Sequence, residues 1–354
     1  MSGGVDSSVA AARLLARGLD VVGVTLHLWD YPDDGSVKSR CCAPEDIHDA
    51  RRVADVLGFP HYAFDRRELF RSEVVEPFVD AYLSGETPSP CVRCNRGVKI
   101  KELMHLADRL DADRVATGHY ARVVEDEGRC ELHRARDAAK DQSYFLHMLA
   151  EDVLRKLVFP LGEATKAEVR EEAQRLGLAG AGKGESQELC FVPSGRYDAF
   201  VKERADGRLR PGPIIDGAGR VVGQHGGIHA FTVGQRRNLG VALGERAYVV
   251  GVDPESATVR LGRHEELLAQ GAIVDDLSLC ADLRLPAAVD VVVRYRGKPV
   301  ACTLEALDGK SALLRFGSPI QAVVPGQFAV FYRGDRALGG GLIRKALREE
   351  QAFS

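Results

Sequence analysis

The sequence of 354 residues predicts an α/β fold in its first part and a small antiparallel β-barrel in its last part. Three observations support this prediction. Over the first ~200 residues, apolar runs alternate with stretches of helical period, the pattern of a parallel sheet with covering helices. Residues 205–270 are rich in glycine and in short apolar runs. Residues 288–345 alternate apolar and polar side chains between short turn sequences, which is typical of antiparallel strands.

The individual elements follow from hydrophobic period and capping residues. Helices are predicted over four stretches with an apolar helical face: 9–15, 44–59, 97–110 and 165–178. Thr165 and Glu168 form a capping box that predicts the start of the last helix, and Gly18 predicts the end of the first. Buried strands are predicted over three apolar runs, at 19–29, 60–65 and 113–123, the last running into a Gly-His turn. Barrel strands are predicted in VDVVVRYRG, ACTLEALDG, SALLRFG and QFAVFYRG.

Composition and charge exclude some classes of function. The chain is 45% hydrophobic and 28% charged, as in globular proteins. No apolar run approaches the ~18 residues of a membrane span and no secretory signal is visible, so we expect a cytoplasmic chain with no membrane partner. Residues 205–354 carry 19 Lys and Arg against 16 Asp and Glu, within a net charge of −3 for the whole chain. This balance permits an RNA partner bound by local patches and excludes a strongly basic, RNA-coating surface.

The N-terminal stretch MSGGVDSSVAAARLL places a glycine-rich turn directly before a helix. Gly3 and Gly4 let backbone N–H groups approach a ligand closely, and a helix N-terminus favours an anion. No lysine follows the glycines, so this is not the GxxxxGK[ST] loop, and a pyrophosphate suits it better than a transferred terminal phosphoryl group. The alternative interpretation is an ordinary helix with a Ser or Asp N-cap. The residues alone leave both open.

Eight cysteines in a chain without a secretory signal favour reduced, reactive or metal-binding thiols. Cys91 and Cys94 form a CxxC, which we expect on a loop immediately before a helix, a position that favours the thiolate. One CxxC is a weak zinc signal, because a structural site needs four ligands. Cys190 lies in a polar, glycine-bearing segment that core packing explains poorly. If Cys190 meets Cys94 in space, the two would form a redox or sulfur-handling pair.

The remaining cysteines and two histidines are interpreted as structural. Three cysteines in strand-like runs are expected to be inert core residues: Cys130, Cys280 and Cys302. The adjacent Cys41 and Cys42 are expected on a surface loop. His225 and His229 have the i, i+4 spacing of a metal pair, but the Gly-Gly between them disfavours the helix that such a pair needs.

Motifs along nearly the whole chain resemble, in the same order, those of the bacterial tRNA-specific 2-thiouridylases. They are SGGVDSS, TPSPCVRCNRGVKI, ATGHYAR, KDQSYFL, ESQELCF, GIHAFTVGQRR and VVVRYRG. SGGVDSS alone marks only the wider pyrophosphatase-loop ATPases, whereas its combination with the two cysteine motifs is specific. The resemblance implies a Rossmann-like pyrophosphatase-loop ATPase domain over 1–204, a small central linker domain over 205–272, and a C-terminal β-barrel tRNA-binding domain over 273–354.

The resemblance also implies a reaction, the ATP-dependent 2-thiolation of the wobble uridine of tRNA. The uridine 2-carbonyl oxygen attacks the α-phosphate of ATP and releases pyrophosphate, after which sulfur displaces AMP. The implied ATP-binding residues are Met1, Ser2, Gly3, Gly4, Val5, Asp6, Ser7, Ser8, Leu26 and Gly118. Asp6 is also expected near Mg²⁺.

Two routes for the sulfur are compatible with the resemblance. In one, Cys190 carries a persulfide whose terminal sulfur attacks the activated carbon, and Cys94 then releases it, leaving a Cys94–Cys190 disulfide. Many members have Asp where this chain has Cys91. Members with cysteine there have been proposed to hold a [4Fe–4S] cluster through three cysteines, which here would be Cys91, Cys94 and Cys190. The expected sulfur donor is a persulfide carrier protein, a desulfurase or sulfide.

Contacts to tRNA are also implied by the resemblance. Ser89, Pro90 and Cys91 match the segment that lines the flipped target base. The implied tRNA-binding residues are His119, Lys140, Asp141, Gln142, Arg294, Tyr295 and Gln327. Without the resemblance, 140–142 would be interpreted as a solvated turn and 294–295 as an ordinary strand pair.

Two rival functions remain. A pyrophosphatase-loop ligase acting on a small metabolite leaves the cysteine motifs unexplained, and a non-catalytic RNA-binding or iron–sulfur module leaves the SGGVDSS loop without a role.

Relatives carry an apolar strand before the SGGVDSS loop. We therefore expect the native protein to begin with roughly 4–8 further apolar residues that form a sheet strand.

Overall fold

The computed structural model describes residues 1–30, 44–178, 189–192, 195–241, 244, 246–321 and 323–348. Cys41 and Cys42 therefore lie outside the described residues, as does most of the ESQELCF motif. The chain divides into two compact units. Unit 1 comprises Met1–Val75, Cys91–Arg196 and Asp335–Ala337, and unit 2 comprises Glu76–Pro90, Tyr197–Gly334 and Leu338–Ser354. Among the described residues, no helix has the length and apolar character to span a membrane.

The helices and strands have the following bounds. The α-helices are α1 Val5–Ala16, α2 Pro44–Leu57, α3 Arg67–Phe70, α4 Glu76–Leu83, α5 Pro90–Cys94, α6 Ile100–Arg109, α7 Glu151–Lys156, α8 Lys166–Arg175 and α9 Tyr197–Arg204. Single π-helical turns span Arg71–Val75 and Asn95–Lys99, and 3₁₀ turns span Ser143–Phe145, Ile228–Ala230 and His264–Leu267. The first strands are β1 Gly23–His27, β2 His61–Asp65, β3 Val115–Ala116, β4 Ala121–Asp126, β5 Arg129–Arg134 and β6 Leu157–Val158. The remaining strands are β7 Gly212–Ile215, β8 Val221–His225, β9 Tyr248–Asp253, β10 Thr258–Gly262, β11 Ala269–Leu279, β12 Ala287–Val292, β13 Val300–Ala306, β14 Ala312–Ile320, β15 Phe328–Arg333 and β16 Arg336–Leu347.

Unit 1 contains the parallel strands and covering helices predicted for the first part of the chain. β1 and β2 pair in parallel from Gly23–His61 to His27–Asp65, and β3 pairs in parallel with β6. The apolar faces of α1, α2 and α8 share one core, in which Val9, Val53 and Val169 are fully buried. The predicted capping box is present at the start of α8. The predicted fold class is confirmed here.

The predicted strand at 113–123 is wrong in its extent, because β3 ends at Ala116 and β4 begins at Ala121. Gly118 interrupts it by passing against the first turn of α1, where an added Cβ would lie 2.9 Å from the carbonyl carbon of Asp6. A second strand pair that the apolar pattern did not indicate follows, since β4 and β5 form an antiparallel hairpin. Its turn, Glu127–Gly128, has positive φ at both residues, the conformation of a type I′ hairpin turn.

Unit 2 contains a mixed four-stranded sheet and an antiparallel barrel. Four strands form a sheet in the order β8-β7-β10-β9, in which only the β7–β10 pairing is parallel. Six strands in the order β11-β14-β13-β12-β15-β16 close into a barrel through a β11–β16 pairing. The predicted alternation is clear in β13, where Cys302 and Leu304 are buried and their neighbours Ala301 and Thr303 are exposed. The predicted barrel is therefore confirmed.

The glycine-rich turn generates a stability prediction. Gly3 has φ +64°, and an added Cβ would lie 2.4 Å from the carbonyl oxygen of Asp46 in α2. Gly18 also has positive φ, +74°, but a Cβ there meets nothing within 4 Å. We expect Gly18→Ala to lower the free energy of unfolding by about 1 kcal/mol through backbone strain alone, and Gly3→Ala by about 2–4 kcal/mol through strain and overlap together. Urea denaturation of both variants measures the difference, and equal losses would contradict the close approach to α2.

Candidate active site

The glycine-rich turn is shaped as an uncapped helix start. Gly4 is the N-cap of α1 with an extended backbone, and it makes no side-chain capping hydrogen bond. The interpretation of an ordinary Ser or Asp N-cap is therefore wrong. The hydroxyls of Ser7 and Ser8 donate to the Gly4 carbonyl at 3.1 and 3.0 Å, and the Ser7 hydroxyl accepts from the Ser2 amide at 3.1 Å. These bonds hold the turn in a shape that presents the amide end of α1, a favourable place for an anion.

Asp6, in the first turn of α1, meets a lysine that sequence reasoning missed. The Lys166 ammonium donates to both Asp6 carboxylate oxygens at 2.7 and 2.8 Å, and the Tyr120 hydroxyl donates to Oδ1 at 2.8 Å. Lys166 is the first residue of α8, and its backbone N–H donates to the Asp137 carboxylate at 2.9 Å. A lysine at a helix N-terminus opposes the helix dipole. That unfavourable position, directly after the Thr165 cap, was the one signal in the sequence that Lys166 has a partner elsewhere.

The two other expected nucleotide-binding residues lie near the carboxyl ends of parallel strands, where ligands of open α/β sheets bind. Leu26 is the penultimate residue of β1 and is buried. Gly118 follows β3 and contacts the first turn of α1 at Asp6 and Ser7. Only a residue without a side chain fits between β3 and α1 at this point.

Residues 140–148, which we call the 140–148 segment, connect to the glycine-rich turn. Asp141 is buried and accepts hydrogen bonds from the Ala135 and Ser143 backbone N–H groups, each at 3.1 Å. Gln142 and Tyr120 exchange two bonds, since the Tyr120 N–H donates to the Gln142 side chain at 2.9 Å and the Gln142 N–H donates to the Tyr120 carbonyl at 2.8 Å. The interpretation of a solvated turn is therefore wrong. Through Tyr120, this segment orients the carboxylate of Asp6.

The CxxC lies in helix α5, and its predicted location on a loop is wrong. Pro90 begins this helix, a position where its missing N–H costs nothing. Cys91 is exposed and Cys94 is buried, so the two thiols, one turn apart, differ in access. The helix is attached to the 140–148 segment just beyond Cys94, where the Asn95 amide donates to the Phe145 carbonyl at 3.4 Å. The segment is therefore bonded to Tyr120, the partner of Asp6, and to Asn95, the residue that follows the cysteine-bearing helix.

Cys190 is half-buried and is positioned by its neighbour in the chain. The Phe191 ring is 2% exposed and packs edge-on against Trp29 and Phe70, with ring centroids 6.2 and 5.6 Å away. Among the described residues, which include Cys91, Cys94 and Cys190, no group of three or more His, Cys, Asp or Glu side chains is arranged to hold a metal ion.

The cysteines and histidines interpreted as structural have structural surroundings. Burial raises the pKa of Cys302 to about 12, so this thiol stays protonated, whereas Cys130 and Cys280 are only half-buried. The two ring nitrogens of His225 lie 3.0 Å from the Ala257 carbonyl and 3.1 Å from the Gly227 N–H. His229 is buried.

His119, one of the expected tRNA-binding residues, carries no positive charge at pH 7. Its Nδ1 lies 2.8 Å from the Thr117 hydroxyl, and its ring packs edge-on against Phe159. Burial, followed by the nearby Lys99 ammonium, lowers the pKa of His119 to about 3. The ring is therefore neutral at pH 7 and offers a hydrogen bond rather than a positive charge.

In unit 2, the residues expected around the target base and the tRNA lie in two places. The Gln327 amide donates to the Thr87 carbonyl at 2.7 Å and the Thr87 N–H donates to the Pro325 carbonyl at 2.9 Å, which holds the segment leading to Ser89 and Pro90. Arg294 and Tyr295 follow β12 in a turn that Arg296 closes with φ +59°. The exposed Arg296 guanidinium stacks over the Tyr295 ring, 5.3 Å from its centroid. Cations grouped around an aromatic ring suit a single-stranded RNA loop.

Three family models match successive parts of the chain. A tRNA methyl transferase HUP domain matches residues 1–194, a tRNA methyl transferase PRC-barrel domain matches residues 198–263, and an aminomethyltransferase beta-barrel domain matches residues 269–343. The first covers more than half of the 354 residues by itself.

Two similar proteins agree with these matches. A solved structure of the U34-tRNA thiolase NcsA from Methanococcus maripaludis with its [4Fe-4S] cluster is 19% identical and covers 58% of this chain and 62% of that chain, but its TM-score of 0.33 is too low for comparison of the sites. The tRNA-specific 2-thiouridylase MnmA of Sorangium cellulosum is 63% identical over 99% of this chain and 93% of that protein. The protein of the same name from Geobacter metallireducens is 48% identical over 99% of this chain and 96% of that protein. The chain belongs to the tRNA-specific 2-thiouridylase family.

Proposed function

We propose that the chain catalyses the ATP-dependent 2-thiolation of the wobble uridine of tRNA in the cytoplasm, with pyrophosphate and AMP as the other products. We further propose three domains, a catalytic domain over 1–204, a central linker domain over 205–272 and a tRNA-binding barrel over 273–354. Family membership at 63% identity over nearly the whole chain supports the reaction.

One structural observation favours a single enzyme that couples ATP to sulfur chemistry. The 140–148 segment is bonded at Gln142 to Tyr120, which orients Asp6, and at Phe145 to Asn95, beside Cys94. The same short segment of unit 1 is therefore bonded to residues next to the nucleotide site and next to the buried thiol. A ligase acting on a small metabolite would have no use for the thiol end of this connection.

In the proposed adenylation step, the glycine-rich turn holds the phosphates of ATP at the amide end of α1. Leu26 and Gly118 contact the adenosine, with Met1 and Val5 beside the turn. The Asp6 carboxylate, whose side chain is 35% exposed, is a suitable single protein ligand for Mg²⁺, which takes its other ligands from phosphates and water. Mg²⁺ bound there would neutralise charge that develops on the phosphates. The uridine 2-carbonyl oxygen attacks the α-phosphate, and pyrophosphate leaves.

The proposed sulfur step uses Cys94 and Cys190, the two cysteines that a persulfide route requires. A donor protein loads Cys190 with a persulfide, and the terminal sulfur attacks carbon 2 of the adenylated uridine so that AMP leaves. The Cys94 thiolate then attacks Sγ of Cys190, which frees the thiolated uridine and forms a Cys94–Cys190 disulfide. An external thiol reductant resets the pair.

The proposed tRNA contacts divide into base and backbone groups. Ser89, Pro90 and Cys91 line the extruded base, and the neutral His119 donates or accepts a hydrogen bond near it. Lys140, Arg294 and Tyr295 contact the RNA directly. Asp141 and Gln142 act through their bonds to neighbouring backbone, and Gln327 acts through the Thr87 carbonyl.

The reaction itself can be tested directly. The purified protein is incubated with ATP, Mg²⁺, unmodified tRNA and a persulfide donor, and the digested nucleosides are analysed by mass spectrometry. We expect 2-thiouridine only when ATP and donor are both present, with one pyrophosphate released per thiolation. Pyrophosphate release that needs no tRNA would instead favour a ligase for a small metabolite.

We expect Asp6→Asn to abolish adenylation while the affinity for tRNA stays within a few-fold. The substitution removes a carboxylate from the reacting centre, whereas many separate contacts hold the tRNA. Pyrophosphate release and tRNA filter binding measure the two effects. Asp20→Asn, at an exposed residue after α1, is the control and should behave as wild type. Thiolation retained by Asp6→Asn would contradict the role of Asp6.

Cys91, Cys94 and Cys190 give a test of the sulfur route. We expect Cys94→Ser and Cys190→Ser to abolish thiolation and Cys91→Ser to retain much of it, because the persulfide route uses only two thiols. Iron content and thiolation are measured together after anaerobic purification. Simultaneous loss of iron and activity in Cys91→Ser would contradict this route and favour a [4Fe–4S] cluster held by all three residues.

The barrel turn gives a test of tRNA binding. We expect Arg294→Ala to weaken tRNA binding about 3- to 10-fold and to flatten its salt dependence, because one cation fewer displaces counterions from the RNA. Arg284→Ala removes an equally exposed arginine elsewhere in unit 2 and serves as the control. Equal binding by wild type and Arg294→Ala at two salt concentrations would remove this turn from the interface.

A further inference from the structure

Lys166 brings a positive charge to a phosphate-binding turn whose own sequence has none. We propose that Lys166 is a phosphate-binding residue, with its ammonium moving between the Asp6 carboxylate and the phosphates of ATP. The proposal rests on the proposed function, since it assigns a further residue to the same nucleotide site. Lys166 would then supply the positive charge near the phosphates that a lysine after the glycines supplies in the GxxxxGK[ST] loop.

The contacts of Lys166 place its ammonium beside Asp6, in the first turn of α1. Nζ lies 2.7 and 2.8 Å from the two oxygens of Asp6 and 5.7 Å from the centroid of the Tyr120 ring. The Lys166 side chain is 11% exposed, whereas that of Asp6 is 35% exposed, so the carboxylate side of the pair opens to solvent. A ligand at the amide end of α1 therefore approaches this ion pair from its open side.

Charge balance explains why a lysine is needed there. The phosphate chain of ATP is strongly negative, and a lone carboxylate in the first turn of α1 would repel it. The Lys166 ammonium cancels the Asp6 charge in the absence of nucleotide. With nucleotide and Mg²⁺ bound, Asp6 would be the residue that holds the metal, and the Lys166 ammonium could then donate to a phosphate oxygen instead. Lysine suits this exchange because it is a compact charge with rotatable donors on a flexible stem.

A purely cohesive role for Lys166 is disfavoured by a second ion pair between the same helices. Arg13 of α1 donates to the Glu172 carboxylate of α8 at 2.6 Å and to the Pro160 carbonyl at 3.0 Å. Arg13 lies seven residues beyond Asp6, about 10 Å farther along α1. The helices α1 and α8 are thus already joined by an arginine pair away from the turn, and they also share the buried Val9 and Val169.

The arginine pair supplies a matched control for the experiment. Binding of ATP, inorganic pyrophosphate and adenosine is measured by calorimetry, with Mg²⁺, on wild type, Lys166→Met and Arg13→Met. We expect Lys166→Met to weaken ATP and pyrophosphate about 10- to 100-fold, the range for a lost hydrogen bond between charged groups, and to leave adenosine within two-fold. We expect Arg13→Met to bind all three ligands within two-fold of wild type while losing some thermal stability.

Each other outcome has a distinct meaning. If Lys166→Met weakens adenosine as much as ATP, or leaves pyrophosphate unchanged, the phosphate-binding role is refuted. Should Lys166→Met not fold, Lys166→Gln keeps a polar group that can bond to Asp6 and Tyr120, and the same comparison of ligands applies to it. A wild-type protein that binds ATP but thiolates no tRNA refutes the proposed function and leaves the assignment of Lys166 standing.

Discussion

The carboxylate of Asp6 is the point on which the nucleotide site depends. It receives the Lys166 ammonium from α8 and the Tyr120 hydroxyl from the connection between β3 and β4, so three elements distant in sequence meet at one side chain. Gly118 must lack a side chain for that connection to reach α1, and Gly3 must adopt a left-handed conformation for the turn to pass α2. Each requirement exists because the amide end of α1 has to stay open and correctly oriented. The geometry of the turn is therefore a property of unit 1 rather than of the SGGVDSS motif alone.

The 140–148 segment extends this dependence to the thiols. Its buried Asp141 organises neighbouring backbone, its Gln142 supports Tyr120, and its Phe145 carbonyl receives Asn95 beside Cys94. Adenylation makes a carbon that water could hydrolyse before sulfur arrives. Bonding one segment to residues beside the activating carboxylate and beside the releasing thiol of Cys94 limits the positional error between these two groups. For two consecutive steps on one base, that is a direct benefit, since a misplacement of 1 Å can cost about 100-fold in rate.

Local signals predicted much of the fold, and long-range contacts account for what they missed. The capping box at Thr165 and the alternation in β13 follow from short windows, and both are present. The interrupted strand at Gly118 and the pairing of Lys166 with Asp6 depend on contacts across more than a hundred residues, which periodicity does not encode. The helix at Pro90–Cys94 was missed because its one proline and two cysteines have low helix propensity, although proline at the first position is favourable. Individual site residues came from family motifs, since neither composition nor spacing distinguishes a ligand from a solvated side chain.

Among the described residues, the ion pairs Arg13–Glu172 and Lys166–Asp6 join α1 to α8, and their roles differ. The Arg13–Glu172 pair lies farther from the glycine-rich turn and can hold the two helices together. The Lys166–Asp6 pair at the turn is therefore not needed for that purpose. Loss of the Lys166–Asp6 pair is therefore expected to change ligand binding more than the association of the helices, whereas loss of the Arg13–Glu172 pair is expected to have the opposite effect.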